Sequence, residues 1–421
     1  MLYENKMTRN QIYAGISLFI VFFCLYFIAS GFLEKASAFE EFDILFEMDT
    51  PRVIEDMTVF REDHSRTRVH PLFVMMVNPL GTLLTRLTQS GILTARILNS
   101  VFGAFGVALA FFFFLRYGRE TIDALLLASL FGVSTSQLFL SSIPDTISLA
   151  VCSLILTYIL FYFSLKSKKI YFLWWFLAGM FSLSVTTTNF AQTAICFFIA
   201  SLNSSSEKKL LKSVWASVKY GVVVLTAAIG LSLIQKVIYP TTDLFFLPQA
   251  YEAEFVYAST LIFQRSRYVV VHLIKNFLMS NIAAPAPMIF EIHGLENPGV
   301  TFGASHDYSW IGWVVVILWL GLMLFSVLKI LLEKKNLPFY LGLAACLLFN
   351  FLLHAFYGVT EKRIELFLYT GNLTFLLITP LAEVFLPGRE KLTRVVLVLF
   401  ILLMAINNIL VMKTLIQALG G

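Results

Sequence analysis

Apolar residues run almost unbroken for about 20 positions at a time along this chain, and most runs stop at a cluster of Lys or Arg. A helix needs about 20 such residues to cross a hydrocarbon core of ~30 Å. Only helices or closed barrels satisfy every backbone group in lipid, and continuous rather than alternating hydrophobicity selects helices. The pattern predicts crossings at residues 12–32, 93–115, 122–140 and 146–165, and two shorter helices within 171–202. Further crossings follow at 214–238, 311–332, 338–353, 366–385 and 395–415, about eleven in all. The expected fold class is an all-α polytopic membrane protein, one domain over 1–421 with no soluble C-terminal domain.

Two polar stretches, 33–90 and 239–310, interrupt the runs. Within the first, EFDILFEM and VIEDMTVF alternate apolar and charged positions at near-helical spacing, which predicts juxtamembrane surface helices. The run 71–87 contains Pro79 and Gly81, so a juxtamembrane or broken helix is expected there. Thr186, Thr187, Thr188 and Asn189 read as a turn between the two short helices.

Charge placement orients the chain. Lys6 and Arg9 precede the first run, which puts the N-terminus on the cytoplasmic side by the positive-inside rule. Arg116, Arg119, Lys166, Lys168, Lys208, Lys334 and Arg389 then also fall inside, and 33–90, Asp145, 239–310 and 354–365 fall outside. The first run is too long for a signal-peptide core and lacks a small-residue cleavage site, so it is expected to remain as a helix. A hydrophobic content of 58% against 14% charged residues excludes a water-soluble globule. A formal charge of +5 without basic tracts gives no footing for nucleic acid. Cys24, Cys152, Cys196 and Cys346 all lie inside apolar runs, with neither metal-ligand nor disulfide spacing. No inverted repeat of the transporter kind is visible.

Asp49-Thr50-Pro51-Arg52 and Asp56-Met57 follow the first helix, His70-Pro71-Leu72 opens the next segment, and Ala95-Arg96-Ile97-Leu98-Asn99 and Pro144-Asp145-Thr146 come later. In this order the elements resemble the type C (GT-C) glycosyltransferases, in the branch of the bacterial aminoarabinose transferases and protein mannosyltransferases. The second acid and the Tyr of that branch's first motif are absent, as is the first Pro of its Pro-Pro-Leu element. The resemblance covers roughly residues 49–165. It implies a GT-C-like fold and an inverting transferase of the bacterial inner membrane, taking a sugar from a polyprenyl-phosphate donor to an acceptor on the outer, periplasmic face; the acceptor's identity stays open, a lipid-linked molecule being one option.

Such a transfer needs a carboxylate to orient or deprotonate the acceptor and cations to stabilise the departing phosphate. Asp49 is the candidate base, with Glu47 or Asp56 in support and His70 beside them at the cavity. Asp145 is a second carboxylate, able with Asp49 to share a divalent cation. Pro-Asp-Thr is equally a helix N-cap signature, and Asp49 could be a loop acid or a cap. Three groups compete for the donor phosphate: Arg52 with Arg61, Arg66 and Arg68; Arg265 and Arg267 with His272 and Lys275; and His354 and Tyr357 with Lys362 and Arg363. Each could instead be a headgroup contact. His293, His306 and Asp307 are too widely spaced for a metal site to be argued. The competing class is a transporter or flippase of a lipid-linked or anionic solute, which calls for ionisable residues near helix midpoints; here they concentrate in the loops.

Overall fold

The structure is a computed structural model that describes residues 7–204, 209–292, 298–361, 363–385 and 388–420. Among the described residues seven helices are long and apolar enough to cross a membrane: Arg9–Lys35, Gly91–Tyr117, Ile147–Ser167, Leu210–Ile238, Trp310–Glu333, Leu337–Ala355 and Glu390–Ala418. Apolar side chains surround these helices on every face, the pattern of a membrane span rather than of a surface helix. The chain is an all-α membrane protein. Ile147–Ser167 is the most enclosed of the seven, whereas Arg9–Lys35 and Leu210–Ile238 turn most of their apolar surface outward.

The other four expected crossings are shorter or interrupted, so the structure gives seven full-length spans where the hydropathy pattern counts about eleven. The third breaks into Thr121–Val133 and Thr135–Leu140 at Ser134, whose extended backbone ends one helix while its hydroxyl caps the next. Residues 366–385 form a buried composite, 3-10 turns at Leu368–Thr370 and Thr379–Val384 flanking the α-helix Gly371–Ile378. Phe172–Val185 and Thr187–Ser204 flank Thr186, as the sequence implies.

Residues 239–310 do not lie wholly in a loop. After the 3-10 segment Pro248–Tyr257, the helix Ser266–Ile274 continues as a π-helix over Lys275–Ser280, and the following backbone is buried at Ile282, Ala283 and Ala284. Irregular backbone at this depth needs partners from the protein. Asn408 Nδ2 donates to the carbonyls of Val133 (2.9 Å) and Ile282 (3.0 Å), and its Oδ1 accepts from the Ala284 amide at 2.8 Å. Asn281 Oδ1 accepts from Ser136 (2.8 Å) and Thr374 (2.7 Å).

One local expectation is corrected and another is narrowed to one of its alternatives. EFDILFEM is not helical: Leu45 bridges to Val300, next to the two-stranded sheet Met288–Phe290 and Gly299–Thr301, and Asp43, Phe46 and Glu47 adopt positive φ of 63°, 53° and 62°. VIEDMTVF does enter a helix, Thr50–Thr58. The proline-containing run forms one unbroken helix, Phe73–Thr88, with Pro79 inside it. Docking on Thr50–Thr58 holds it together. Asn78 Nδ2 donates to the carbonyls of Asp56 (3.0 Å) and Val59 (2.8 Å), and Gly81 passes so close that a Cβ would sit 1.8 Å from the Met57 oxygen.

Polar groups gather at both ends of the bundle. At one, the Tyr117 and Tyr340 phenols lie 2.6 Å apart, Tyr117 donates to buried Glu383 at 2.5 Å, and Arg119 approaches Glu383 at 3.7 Å. The first loop, Asp145 and the end of Leu337–Ala355 meet at the other.

Candidate active site

At this second end a cavity of about 300 Å³ opens between the first loop, the start of Ile147–Ser167, the Thr186–Thr188 turn, Pro248–Tyr257 and the 353–372 segment. Asp49 stands at the N-terminus of Thr50–Thr58 but does not cap it. Arg52, one helical turn on, falls on the same face and donates to Asp49 Oδ2. The 3-10 turn Ser65–Arg68 brings in the second guanidinium: Arg66 Nη2 donates to the same oxygen at 3.0 Å and its Nη1 to Glu254 at 2.5 Å. Arg68 Nε reaches Glu254 at 2.9 Å, and Tyr357 donates to the other oxygen of Glu254 at 3.1 Å. The result is a row of alternating charges along one wall.

Glu47 is presented by strained backbone. A left-handed conformation costs a non-glycine residue roughly 1–2 kcal/mol, and here Phe46 and Glu47 adopt it in succession. The Phe46 amide donates to Val300 O at 2.7 Å, and its buried ring packs on Phe367, Phe302 and Phe139 at 4.7, 4.8 and 5.8 Å. Each such ring pair contributes about 0.5–1.5 kcal/mol, enough to hold the strain. Glu365 lines the same cavity, its carboxyl facing Glu47. Asp145 is set by a loop that Asn99 secures, its Nδ2 donating to Leu140 O (3.1 Å) and Ile143 O (2.7 Å). Both hydrogen bonds to Asp145, from Ile147 N (3.0 Å) and Thr146 Oγ1 (3.3 Å), fall on Oδ1.

The carboxyls therefore differ in proton affinity. Burial pushes Asp49 upward, but Arg52 and Arg66 outweigh it and hold the group below its ordinary value. Glu254 is lowered against burial by Arg66 and Arg68. Burial raises Asp145 to about 6, only partly opposed by the Ile147 amide. Glu47 and Glu365 are both raised, first by burial; for Glu365 the facing Glu47 adds to it. Burial lowers His70 to about 4, and its Nδ1 donates to Val185 O at 2.7 Å, so it is a neutral wall residue. His354 likewise builds the wall: its ring stacks on Tyr369 at 4.2 Å and its Nδ1 meets Tyr357 O at 3.3 Å.

Of the residues singled out from the sequence, Asp49, Asp145, Arg52, Glu47, His70, His354 and Tyr357 converge on this cavity. Asp56 does not. It is buried against His64, with Oδ1 2.6 Å from Nδ1, and touches the site only through Arg52 at 4.0 Å. Arg265 and Arg267 line a separate shallow depression with His272, and Arg265 is exposed and 3.9 Å from Glu361. Arg363 sits outside the cavity lining, held by Asp43 (3.4 Å) and Glu365 (3.9 Å). Lys362 and His293 lie outside the described residues. A cation shared by Asp49 and Asp145 does not fit, because two guanidinium groups already neutralise Asp49, and among the described residues no three His, Cys, Asp or Glu side chains gather as a metal site.

Glu254, Tyr257, Glu365 and Tyr369 enter the site without having been marked in the sequence, and the Thr186–Thr188 turn lines it too. Arg66, one member of an undifferentiated basic cluster in the sequence, becomes the central cation. Comparisons of the chain with protein-family models, curated proteins and solved structures return no match.

Proposed function

We propose that this protein is an inverting membrane glycosyltransferase of the GT-C type, moving a sugar from a polyprenyl-phosphate donor to an acceptor at the outer face of the membrane. The observation that carries the reading is the pairing, in one cavity, of two guanidinium groups with carboxyls of opposite tuning. Arg52 and Arg66 suit the departing phosphate, since guanidinium binds phosphate through paired, charge-assisted hydrogen bonds. In this reading Asp49 holds the two arginines in place while the site is empty. Asp145, Glu47 and Glu365, each raised above its ordinary value by burial, are the groups suited to accept a proton.

The transporter reading has less support. The ionisable side chains at the far end, Glu383 with Tyr117, Tyr340 and Arg119, are tied into a closed network. To test the proposal, purified protein in lipid nanodiscs would be given radiolabelled polyprenyl-phosphate sugars with an extract of membrane lipids as acceptor. Cleavage of the sugar–phosphate bond, dependent on acceptor and lost on Arg66→Ala, is expected. Movement of the intact donor between leaflets, without cleavage, would replace the transferase with a flippase.

A further inference from the structure

We infer that Glu47 and Glu365 work as a single proton acceptor, taking the hydroxyl proton of the sugar's acceptor during transfer. This role rests on the transferase reading above and falls to a pair that the sequence did not suggest. Two carboxyls that face each other in a buried cavity wall repel when both are ionised, so the pair is suited to hold one proton between them. The contact is built into the fold. Glu47 stands on left-handed backbone anchored at Val300, and Glu365 is fixed by its amide donating to Gly358 O at 2.9 Å. The strand-like pairing of Val359 with Ile364 adds to this, and Gly303 lies so close that a Cβ would be 1.8 Å from the Ile364 oxygen. Glu47 Oε2 is buried with no hydrogen-bond partner among the described residues.

Position points the same way. The charged groups facing the pair are Arg363 and Asp43, with the phenols of Tyr257, Tyr357 and Tyr369 on the other side. Beyond Tyr257 and Tyr357 come Glu254 and the Arg66–Asp49–Arg52 row. An inverting displacement needs the incoming oxygen and the leaving phosphate on opposite sides of the anomeric carbon, and the cavity holds the carboxyl pair and the arginines as two separate groups in its lining. The step balances. The acceptor oxygen bonds to the anomeric carbon as the carbon–oxygen bond to phosphate breaks. The electron pair leaves with the polyprenyl phosphate, which gains one negative charge beside Arg52 and Arg66. The acceptor's proton moves to the pair, which then carries two protons and returns one to water before the next turnover.

The test measures turnover and its pH profile in nanodiscs for the parent, Glu47→Gln, Glu365→Gln and the control Glu55→Gln, whose side chain is exposed on Thr50–Thr58. Each cavity variant is expected to lose roughly 10²- to 10⁴-fold in turnover with donor KM retained. The acid limb of the residual activity should move to higher pH, because a lone carboxyl has lost the shared proton that stabilised its anion. The control should match the parent. A parent that transfers no sugar from any polyprenyl phosphate overturns both readings. An active parent whose two Gln variants keep its rate and acid limb overturns this inference alone and leaves Asp145 as the acceptor. Should a variant not fold, infrared titration of the parent carrying ¹³C-labelled glutamate decides: no protonated glutamate at neutral pH refutes the shared proton.

Discussion

Asp49→Asn separates two accounts of the site. As the base, Asp49 would have to accept a proton, yet it shares one oxygen with two guanidinium groups and is held below its ordinary pKa. The sign follows directly: with a lowered folded-state pKa, its ion-pair contribution is complete above the ordinary carboxylate value and is lost only as pH falls below about 3.8. At neutral pH the group is fully ionised and a weak proton acceptor. Asparagine keeps one acceptor for one arginine, Arg66 retains Glu254, and Arg52 retains Asp56 at 4.0 Å. The cost in stability is therefore that of about one charge-assisted hydrogen bond, roughly 1.5–3 kcal/mol, read by thermal unfolding in detergent. The charge lost matters more for the ligand. A phosphate and a carboxylate bracketing one guanidinium lie roughly 6 Å apart, a repulsion of about 3 kcal/mol at an effective dielectric near 20, and solvent in an open cavity reduces it to about 1–2 kcal/mol. Polyprenyl phosphate should thus bind Asp49→Asn about 5- to 30-fold more tightly, by titration or product inhibition, while turnover falls less than about tenfold and its acid limb stays in place. Turnover reduced about 100-fold or more, with unchanged product affinity, would refute this and restore Asp49 as the base.

The other expectations are more compact. Arg66→Ala should weaken donor affinity about 10- to 100-fold by direct binding, the cost of one charge-assisted phosphate contact, whereas Arg265→Ala and Arg267→Ala should leave it within about threefold. Asp145, raised to about 6 in the folded state, favours folding below the ordinary carboxylate pKa and loses that contribution as pH rises through about 6; Asp145→Asn should therefore raise thermal stability at pH 8 relative to the parent and flatten the difference between pH 4 and pH 8. Gly81→Ala should lower stability by at least about 1–3 kcal/mol and reduce activity with it, because the added methyl cannot fit against Met57 O, where the helix carrying Arg52 docks. Asn408→Leu takes this partner from the Val133 carbonyl and the Ala284 amide, while Ile282 O keeps the Thr135 amide at 3.2 Å; the loss, about 1–3 kcal/mol for each group that stays dry, should show as a lower unfolding temperature.

Much of the architecture is written in local composition. Lipid requires about 20 apolar residues per crossing, so the seven long spans appear within a few residues of where hydropathy places them. The turn at Thr186 and the helix carrying Asp56 are local signals as well. Residue type and loop position were enough to bring Asp49, Arg52, Asp145, His354 and Tyr357 forward as candidates, since charge is rare in such a chain. Their roles were not legible, because a carboxyl's proton affinity depends on neighbours distant in sequence. Asp49 is separated from Arg66 by 17 positions, Arg66 from Glu254 by 188, and Glu47 meets Glu365 across most of the chain. The same distance hid the backbone devices. EFDILFEM reads as a helix until Val300 pairs beside it, Pro79 reads as a break until Thr50–Thr58 supports its helix, and 266–284 reads as a loop until Asn281 and Asn408 satisfy its buried amides and carbonyls. Hydropathy fixes which residues enter the membrane, whereas the pairing of charges and of irregular backbone is set by contacts that only the folded chain makes.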